Sequence, residues 1–380
     1  MKVCVVVINS VWYDPRVRKQ IVEYIRDGAQ TSCVGYRCSR YDPEKVAQVP
    51  CPVDVVVPDP RYHGKQRSLI KKILREFKKI ADLRDAVIAQ APDVIHANDL
   101  DTLMSCCLAA KKLGCKVVYD SHEIGLENQY LKGIHKKFYA WVERTYVKKA
   151  DQMVCVSHAA AEHFRSTYGV EKLMVVTNCS LMSERVAEQP PKNEGFEVLN
   201  HGQYYAGRGY DIMVEAVPYL KDHPQIRVAM RGFGKLEPEL RARAAELGED
   251  QVRFYPKVLV QELIREEARS HVGVAITEDI CLNFRLSVSN KLFEYASAGI
   301  PVIMSDIPEH RYLNDKYHFG IILPENTPKA FAEAVIRLYT DEALYHSCVE
   351  GAERLTREVN WETEFGRLLQ VERSWIHGTK

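Results

Sequence analysis

The chain has almost no net charge: 52 Lys and Arg face 51 Asp and Glu, for a formal +1, so no global field announces a nucleic-acid partner. Its eleven cysteines include no C-x-x-C pair. Cys33 and Cys38, and the adjacent Cys106 and Cys107, lack the partner pairs of a zinc site, and no metal is expected. Thiols set in apolar runs, such as Cys4 and Cys155, read as small hydrophobes kept reduced in a cytosol. No apolar run reaches membrane-spanning length. MKVCVVVINS is followed by no small-residue cleavage pattern, so it reads as a first strand rather than a signal peptide. The turn after that strand, SVWYDPRVRKQ, contains no glycine. The G-x-G-x-x-G that seats a dinucleotide is missing, which argues against a nicotinamide or flavin oxidoreductase. Short-period repeats are absent as well.

What is present is alternation. The 380 residues, 46% hydrophobic and 27% charged, have an ordinary globular composition and room for two or three domains. KVCVVVI, TSCVGY, VDVVVP, DVIHA, KVVYDS, QMVCVS and LMVVTN read as strands in the first half. EVLNHG, IRVAMRG, VRFYP, HVGVAIT, PVIMS and FGIILP do so in the second. Between them lie amphipathic stretches with glycine stops, such as VRKQIVEYIRDG, DTLMSCCLAAKKLG and AAAEHFRSTYG. Near-continuous apolar strands separated by helices imply an α/β protein with parallel, doubly wound sheets. A polar, proline-bearing stretch, LMSERVAEQPPKNEGFE, suits a linker between domains at 1–185 and 195–360. The tail from Asn360 is amphipathic and helical, ending the second domain or returning to the first.

One stretch carries the most chemistry, SNKLFEYASAGIPVI, Ser289 to Ile303. It reads as a loop, a helix and a strand. Asn290 and Lys291 fall at the helix start, where backbone N–H groups and the dipole favour an anion, and Lys291 adds a full charge suited to a diphosphate. Glu294, one turn on, is placed to accept hydrogen bonds from sugar hydroxyls. LNHG leads into QYYAGRGYDIMVEA, where Gly202, Gly207 and Gly209 permit close backbone approach and Arg208 stands before a helix. Gly232, in a second glycine turn, RGFGK, is a further candidate donor contact, as is the backbone of Val258 after the strand FYPKV.

In the first half, Asp14, Arg16 and Arg18 sit at a loop-to-helix junction, Asp14 also serving as a cap with Pro15 at the first helical position. His96, Asn98 and Asp99 end one strand, and Asp120, His122 and Glu123 end the next, so the two clusters are expected to share a ligand-binding edge. His122 is the candidate among them for a site role. Two basic segments, Arg61 to Ile80 and Leu131 to Ala150, set lysines beside aliphatic and aromatic residues at helical spacing. They read as solvated faces over a core stripe or as contacts for an anionic membrane surface.

Together DPRVRKQ, DVIHANDLDTL, KVVYDSHE, the Gly202 to Gly209 turn, RGFG and above all NKLFEYASAGIPVI make the chain resemble glycosyltransferase family 4, of the GT-B fold, over nearly its whole length. The resemblance implies two Rossmann-like domains facing a cleft, the first holding the acceptor and the second the nucleotide-sugar donor. It implies a C-terminal helix, about 361–380, that crosses back to the first domain, and a retaining reaction needing no metal. It gives Arg208 and Lys291 the donor diphosphate, Glu294 the ribose, Val258 the base, and His122 a place near the donor sugar. One departure stands out. Leu286 replaces the carboxylate that the family keeps eight positions before Glu294, where it contacts the donor sugar. Glu278, Asp279, Asn283 and Arg285 are nearby polar substitutes. The first basic residue of the glycine turn is also replaced, by Gln203 or Tyr204.

The expected reaction is sugar transfer from a UDP-linked donor to a hydroxyl of a glycan or lipid-linked acceptor in surface-polysaccharide assembly. The expected place is the cytoplasm, at the inner face of the membrane. A sugar-nucleotide epimerase and a non-catalytic nucleotide-sugar-binding protein are the alternatives.

Overall fold

The structure, a computed structural model, describes every residue except 9–10, 38–41, 58–68, 128–130 and 378–380. Cys38 and the stretch Arg61 to Ser68 of the first basic segment therefore lie outside the described residues. The chain divides into two compact units, Met1–Thr177 with Glu364–Lys380, and Asn178–Thr363.

The first unit holds β1 (Lys2–Val7), β2 (Gln30–Tyr36), β3 (Val53–Val56), β4 (Val94–Asn98), β5 (Lys116–Ser121), β6 (Gln152–Cys155) and β7 (Leu173–Val175). They form one sheet in the order β3-β2-β1-β4-β5-β6-β7, every pairing parallel. β1, β4, β5 and β6 are buried almost end to end, as expected of strands covered by helices on both faces. The helix Pro15–Arg26 starts as its sequence dictates: Asp14 accepts from the Val17 N–H and Pro15 occupies the first turn. Gly114 and Gly169 stop the helices Leu100–Leu113 and His158–Tyr168 in the left-handed conformation.

The second unit holds β8 (Phe196–Tyr204), β9 (Ile226–Gly234), β10 (Val252–Tyr255), β11 (Val272–Ala275), β12 (Val302–Ser305) and β13 (Gly320–Leu323) in the parallel order β10-β9-β8-β11-β12-β13. RGFG is not a turn, contrary to the sequence expectation. It is the end of β9, paired residue for residue with the end of β8, Gly202 against Gly232 and Tyr204 against Gly234. The glycines let two backbones approach closely: a Cβ on Gly232 would lie 1.9 Å from the Gly202 carbonyl oxygen, at a φ of +148°. The glycine turn proper lies earlier in the chain, between β8 and the helix Tyr210–Glu215, at Gly207 and Gly209.

The helix Trp361–His377 leaves the second unit and packs in the first. There Phe365 stacks on His96 and meets Tyr24 edge-on, and the Tyr24 hydroxyl donates to Glu372 Oε1 at 2.6 Å. Among the described residues no helix is long and apolar enough to cross a membrane, and every cysteine is a free thiol.

Candidate functional site

Both sheets reverse strand order beside their first strand, and the crevice at the carboxyl end of such a switch point is where doubly wound folds bind ligands. In the second unit the switch lies between β8 and β11. β8 delivers Asn200, His201 and Gly202 to it. The turn before the helix Tyr210–Glu215 delivers Arg208, and the helix Lys291–Ser297 delivers Lys291 and Glu294.

Asn200 ties these pieces together. Its buried amide donates through Nδ2 to the Arg208 carbonyl at 3.0 Å, which fixes the amide's orientation. Its Oδ1 accepts from Lys291 Nζ at 2.5 Å. Lys291 Cε would lie 3.9 Å from a Cβ on Gly202, and its ammonium sits 5.4 Å from the Tyr210 ring centre. The Arg208 guanidinium lies 4.3 Å over Phe284 and donates to Thr277 Oγ1 at 3.4 Å. Burial, and then the Arg208 charge, pull the Lys291 pKa down to about 7. Two cations drawn together and partly desolvated form a pair that an anion would relieve.

Beneath them lies a group that sequence reasoning missed. His201 Nε2 stands 3.0 Å from Glu267 Oε1 and 3.1 Å from Glu294 Oε2. Burial opposes charge on this imidazole, but the two carboxylates outweigh it and raise the pKa to about 9. The buried Glu267 is itself raised, first by desolvation. The three ligand atoms lie within 4.8 Å of one another, close enough to hold a cation, and the imidazolium supplies the positive charge. Glu294 is thus held by a buried cation while its side chain keeps 27% exposure, enough to meet a ligand. Only the polar His-Gly at a strand's carboxyl end hinted at His201. Glu267 gave no signal, because a glutamate in REEARS looks like any solvated helix residue.

The other candidates are dispersed. Asn290 holds the cap position of the helix Lys291–Ser297, but its side chain is exposed and makes no cap bond. Val258 lies in the loop after β10, a strand that pairs with β9 rather than with β8. Gly232 ends beside Gly202 in the strand pairing. Leu286 closes the helix Leu282–Leu286. Of its polar neighbours, Asp279 and Arg285 are exposed and 3.8 Å apart, and desolvation raises the pKa of Glu278.

In the first unit most of the predicted polar cluster is consumed in the core. Arg16 makes two bonds to Asp120, at 3.0 and 2.9 Å, and both residues are buried. Burial opposes the Asp120 charge, but Arg16 wins and holds its pKa well below the carboxylate range. Gln20 donates to Asn98 and Asp120, and His96 is fully buried with its pKa lowered by desolvation. His122 stands at the open edge of this network. Asn98 donates through Nδ2 to the Val6 carbonyl, which turns its Oδ1 toward His122 Nε2 at 2.9 Å; that nitrogen therefore carries a hydrogen. His122 Nδ1 is 3.3 Å from Asp99 Oδ2, and Asp99 accepts the His122 backbone N–H at 3.1 Å. Asp99 adopts φ +64°, a conformation costing on the order of 1–3 kcal/mol outside glycine, which these bonds hold in place.

Two doubly wound units, the second with paired cations at its switch point, define the GT-B class of fold. Solved-structure comparison agrees: Anabaena HepE in complex with UDP and glucose superposes with a TM-score of 0.74 at 15% identity, over 98% of this chain and 100% of that one. Residues 13–179 match the family described as glycosyl transferase 4-like domain, and residues 195–341 match glycosyl transferases group 1. The chain belongs to this glycosyltransferase family. It is 29% identical over 168 residues, 43% of its length, to the D-inositol 3-phosphate glycosyltransferase of Thermomonospora curvata. It is 24% identical over 253 residues, 65% of its length, to the GDP-mannose:cellobiosyl-diphosphopolyprenol alpha-mannosyltransferase of Xanthomonas campestris. These matches span 38% and 64% of the relatives' own lengths.

Proposed function

We propose that the protein transfers a sugar, with retention, from a UDP-linked donor to a hydroxyl of a glycan, one carried on a lipid diphosphate in particular. The observation behind this reading is that Asn200 binds both Lys291 Nζ and the Arg208 carbonyl at the switch point of the second unit, with Lys291 beside Gly202. In the reaction the diphosphate leaves and positive charge builds on the sugar ring. Arg208 and Lys291 are preorganised to hold the leaving charge, which lowers the barrier wherever they bind the separating diphosphate more tightly than the intact donor. Glu294, oriented by His201, takes the ribose hydroxyls, and Val258 takes the base through its backbone. The retaining course follows from the family resemblance. It is read as front-face attack, with the departing phosphate accepting the acceptor's proton. The family resemblance gives His122, which Asn98 and Asp99 position in the first unit, a role toward the donor sugar. The uridine base is supported by the UDP bound to HepE, and the lipid-linked acceptor by the diphosphopolyprenol in the mannosyltransferase's name. A cytoplasmic location is part of the same reading.

The test is a thermal-shift panel of UDP, GDP and ADP with their sugars, followed by product analysis. Selective stabilisation by UDP species and an acceptor-dependent product of retained anomeric configuration are expected. Arg208→Ala should cost about 10²–10³ in turnover, as for loss of one oxyanion donor. Near-normal turnover in that variant, or an inverted product, would refute the assignment of roles. Leu286 favours one second reading, binding without turnover: a thermal shift with no product under any acceptor would establish it. Donor conversion without acceptor would indicate an epimerase instead.

A further inference from the structure

The basic segments acquire a definite shape in the structure. The helices Leu69–Gln90 and Gly133–Tyr146 border a pocket of about 320 Å³ lined chiefly by Ile73, Phe77, Ile134, Phe138 and Trp141. Phe77 and Trp141 remain 48% and 49% exposed, and Ile73, Leu74 and Ile134 are exposed beside them. Rings this large are left in water only at a cost, so a contiguous patch of them marks a contact surface. His135 and Lys137 also line the pocket, and its one acidic group is already neutralised. Glu76 pairs with Lys79 at 2.9 Å and accepts from Tyr139 at 3.1 Å, and Lys79 in turn donates to Tyr139. An occupant therefore meets no unmatched acid, only hydrocarbon with Lys137 at the wall, and must bring an apolar chain next to an anionic group.

The surroundings are cationic. Lys71, Lys132 and Lys137 are exposed and make no ion pair among the described residues, whereas Lys78 and Lys136 are matched to Asp82 and Glu127. Hydrocarbon within and unmatched lysines around it complement one partner, the surface of an anionic bilayer, with acyl chain in the pocket and headgroups at the lysines. Tryptophan and lysine at such a boundary are also the residues that anchor proteins at the membrane–water interface.

We propose that this face of the first unit docks on anionic phospholipid bilayers, with Phe77 and Trp141 inserted. The proposal gives the lipid-linked acceptor reading a place on the molecule but stands on its own residues. The experiment is co-sedimentation of the full chain with vesicles of phosphatidylcholine alone and of phosphatidylcholine with phosphatidylglycerol, at low and high salt. UDP binding is measured on the same preparations. Binding to the anionic vesicles only, weakened by salt, is expected. The triple change Lys71→Ala, Lys132→Ala, Lys137→Ala should weaken it on the order of a hundredfold. Phe77→Ser with Ile134→Ser, which leaves Trp141 as the reporter, should abolish insertion, read as lost quenching of tryptophan fluorescence by brominated lipid. A chain that binds UDP yet ignores anionic vesicles overturns the proposal and leaves the donor site standing. Equal binding to neutral vesicles, insensitive to the lysine changes, also overturns it, since an apolar ligand without charge selection then fits better. A chain that binds vesicles but no nucleotide overturns the donor reading alone.

Discussion

Lys291 is expected to take up a proton when the donor diphosphate binds. In the free protein, burial and the neighbouring Arg208 hold its pKa at about 7, against 10.5 ordinarily. At pH 8 such an amine is charged in only about one molecule in eleven. A diphosphate beside it favours the ammonium, so binding should draw in about 0.9 proton at pH 8 and only about 0.1 at pH 6. Affinity should then fall by about tenfold for each pH unit above 7, until the pKa of the bound state is reached. Titration calorimetry with UDP, repeated in buffers of different ionisation enthalpy, counts the protons directly. The terminal phosphate of UDP contributes little at pH 8, because its second pKa is near 6. His201, at about 9, stays mostly protonated at that pH. Lys291→Arg keeps a charge that does not titrate, so uptake should vanish and the pH dependence flatten. UDP binding without proton uptake in the wild type, or with unchanged uptake in Lys291→Arg, would refute the reasoning.

Three further outcomes follow from the same geometry. His201, raised from 6.5 to about 9, contributes roughly 3 kcal/mol that is fully present below pH 6.5 and lost as pH rises through 9. Lys291 works oppositely, because above pH 7 the unfolded chain holds the extra proton; from pH 7 to 9 the urea midpoint should therefore drop relative to wild type in Lys291→Met and climb relative to wild type in His201→Gln. Gly232→Ala, whose Cβ meets the Gly202 carbonyl, should cost more than about 3 kcal/mol, while Gly366→Ala, with nothing within 4 Å, should gain about 0.5–1 kcal/mol; thermal melts distinguish the two. Arg16→Ala leaves Asp120 buried without its main partner and should cost about 3–5 kcal/mol in chemical denaturation, with UDP binding by the second unit retained.

The strands were legible because those of a doubly wound sheet are buried on both faces and read as unbroken apolar runs, and the helix ends because glycine and an aspartate-proline pair mark them. RGFG was misread for a definite reason. Glycine signals both a left-handed turn and the close approach of a second backbone, and only the pairing with β8 tells the two apart. Lys291, Arg208 and Glu294 stood out as charges placed near strand ends or helix starts. His201 and Glu267 did not, because their significance lies in a contact across 66 positions that no local pattern encodes. Arg16 and Asp120 looked like site residues for the same local reason as Lys291, yet they satisfy each other in the core. The sequence shows where charge sits at a sheet edge, but not which charges have already found partners.

The return of the last helix to the first unit has a consequence for how the protein is made. The Thr177 backbone N–H donates to a carboxylate 187 positions later, and Tyr24 reaches Glu372 across 348. At translation speeds of 5–20 residues per second, roughly 10–40 s pass between the synthesis of Thr177 and that of its partner Glu364. During that interval the nascent first unit carries a socket lined by Tyr24 and His96, still waiting for Phe365. A ribosome that stalls anywhere in the second unit leaves that socket open, on a chain already long enough to expose it to chaperones. The half of the protein that emerges first is the half completed last.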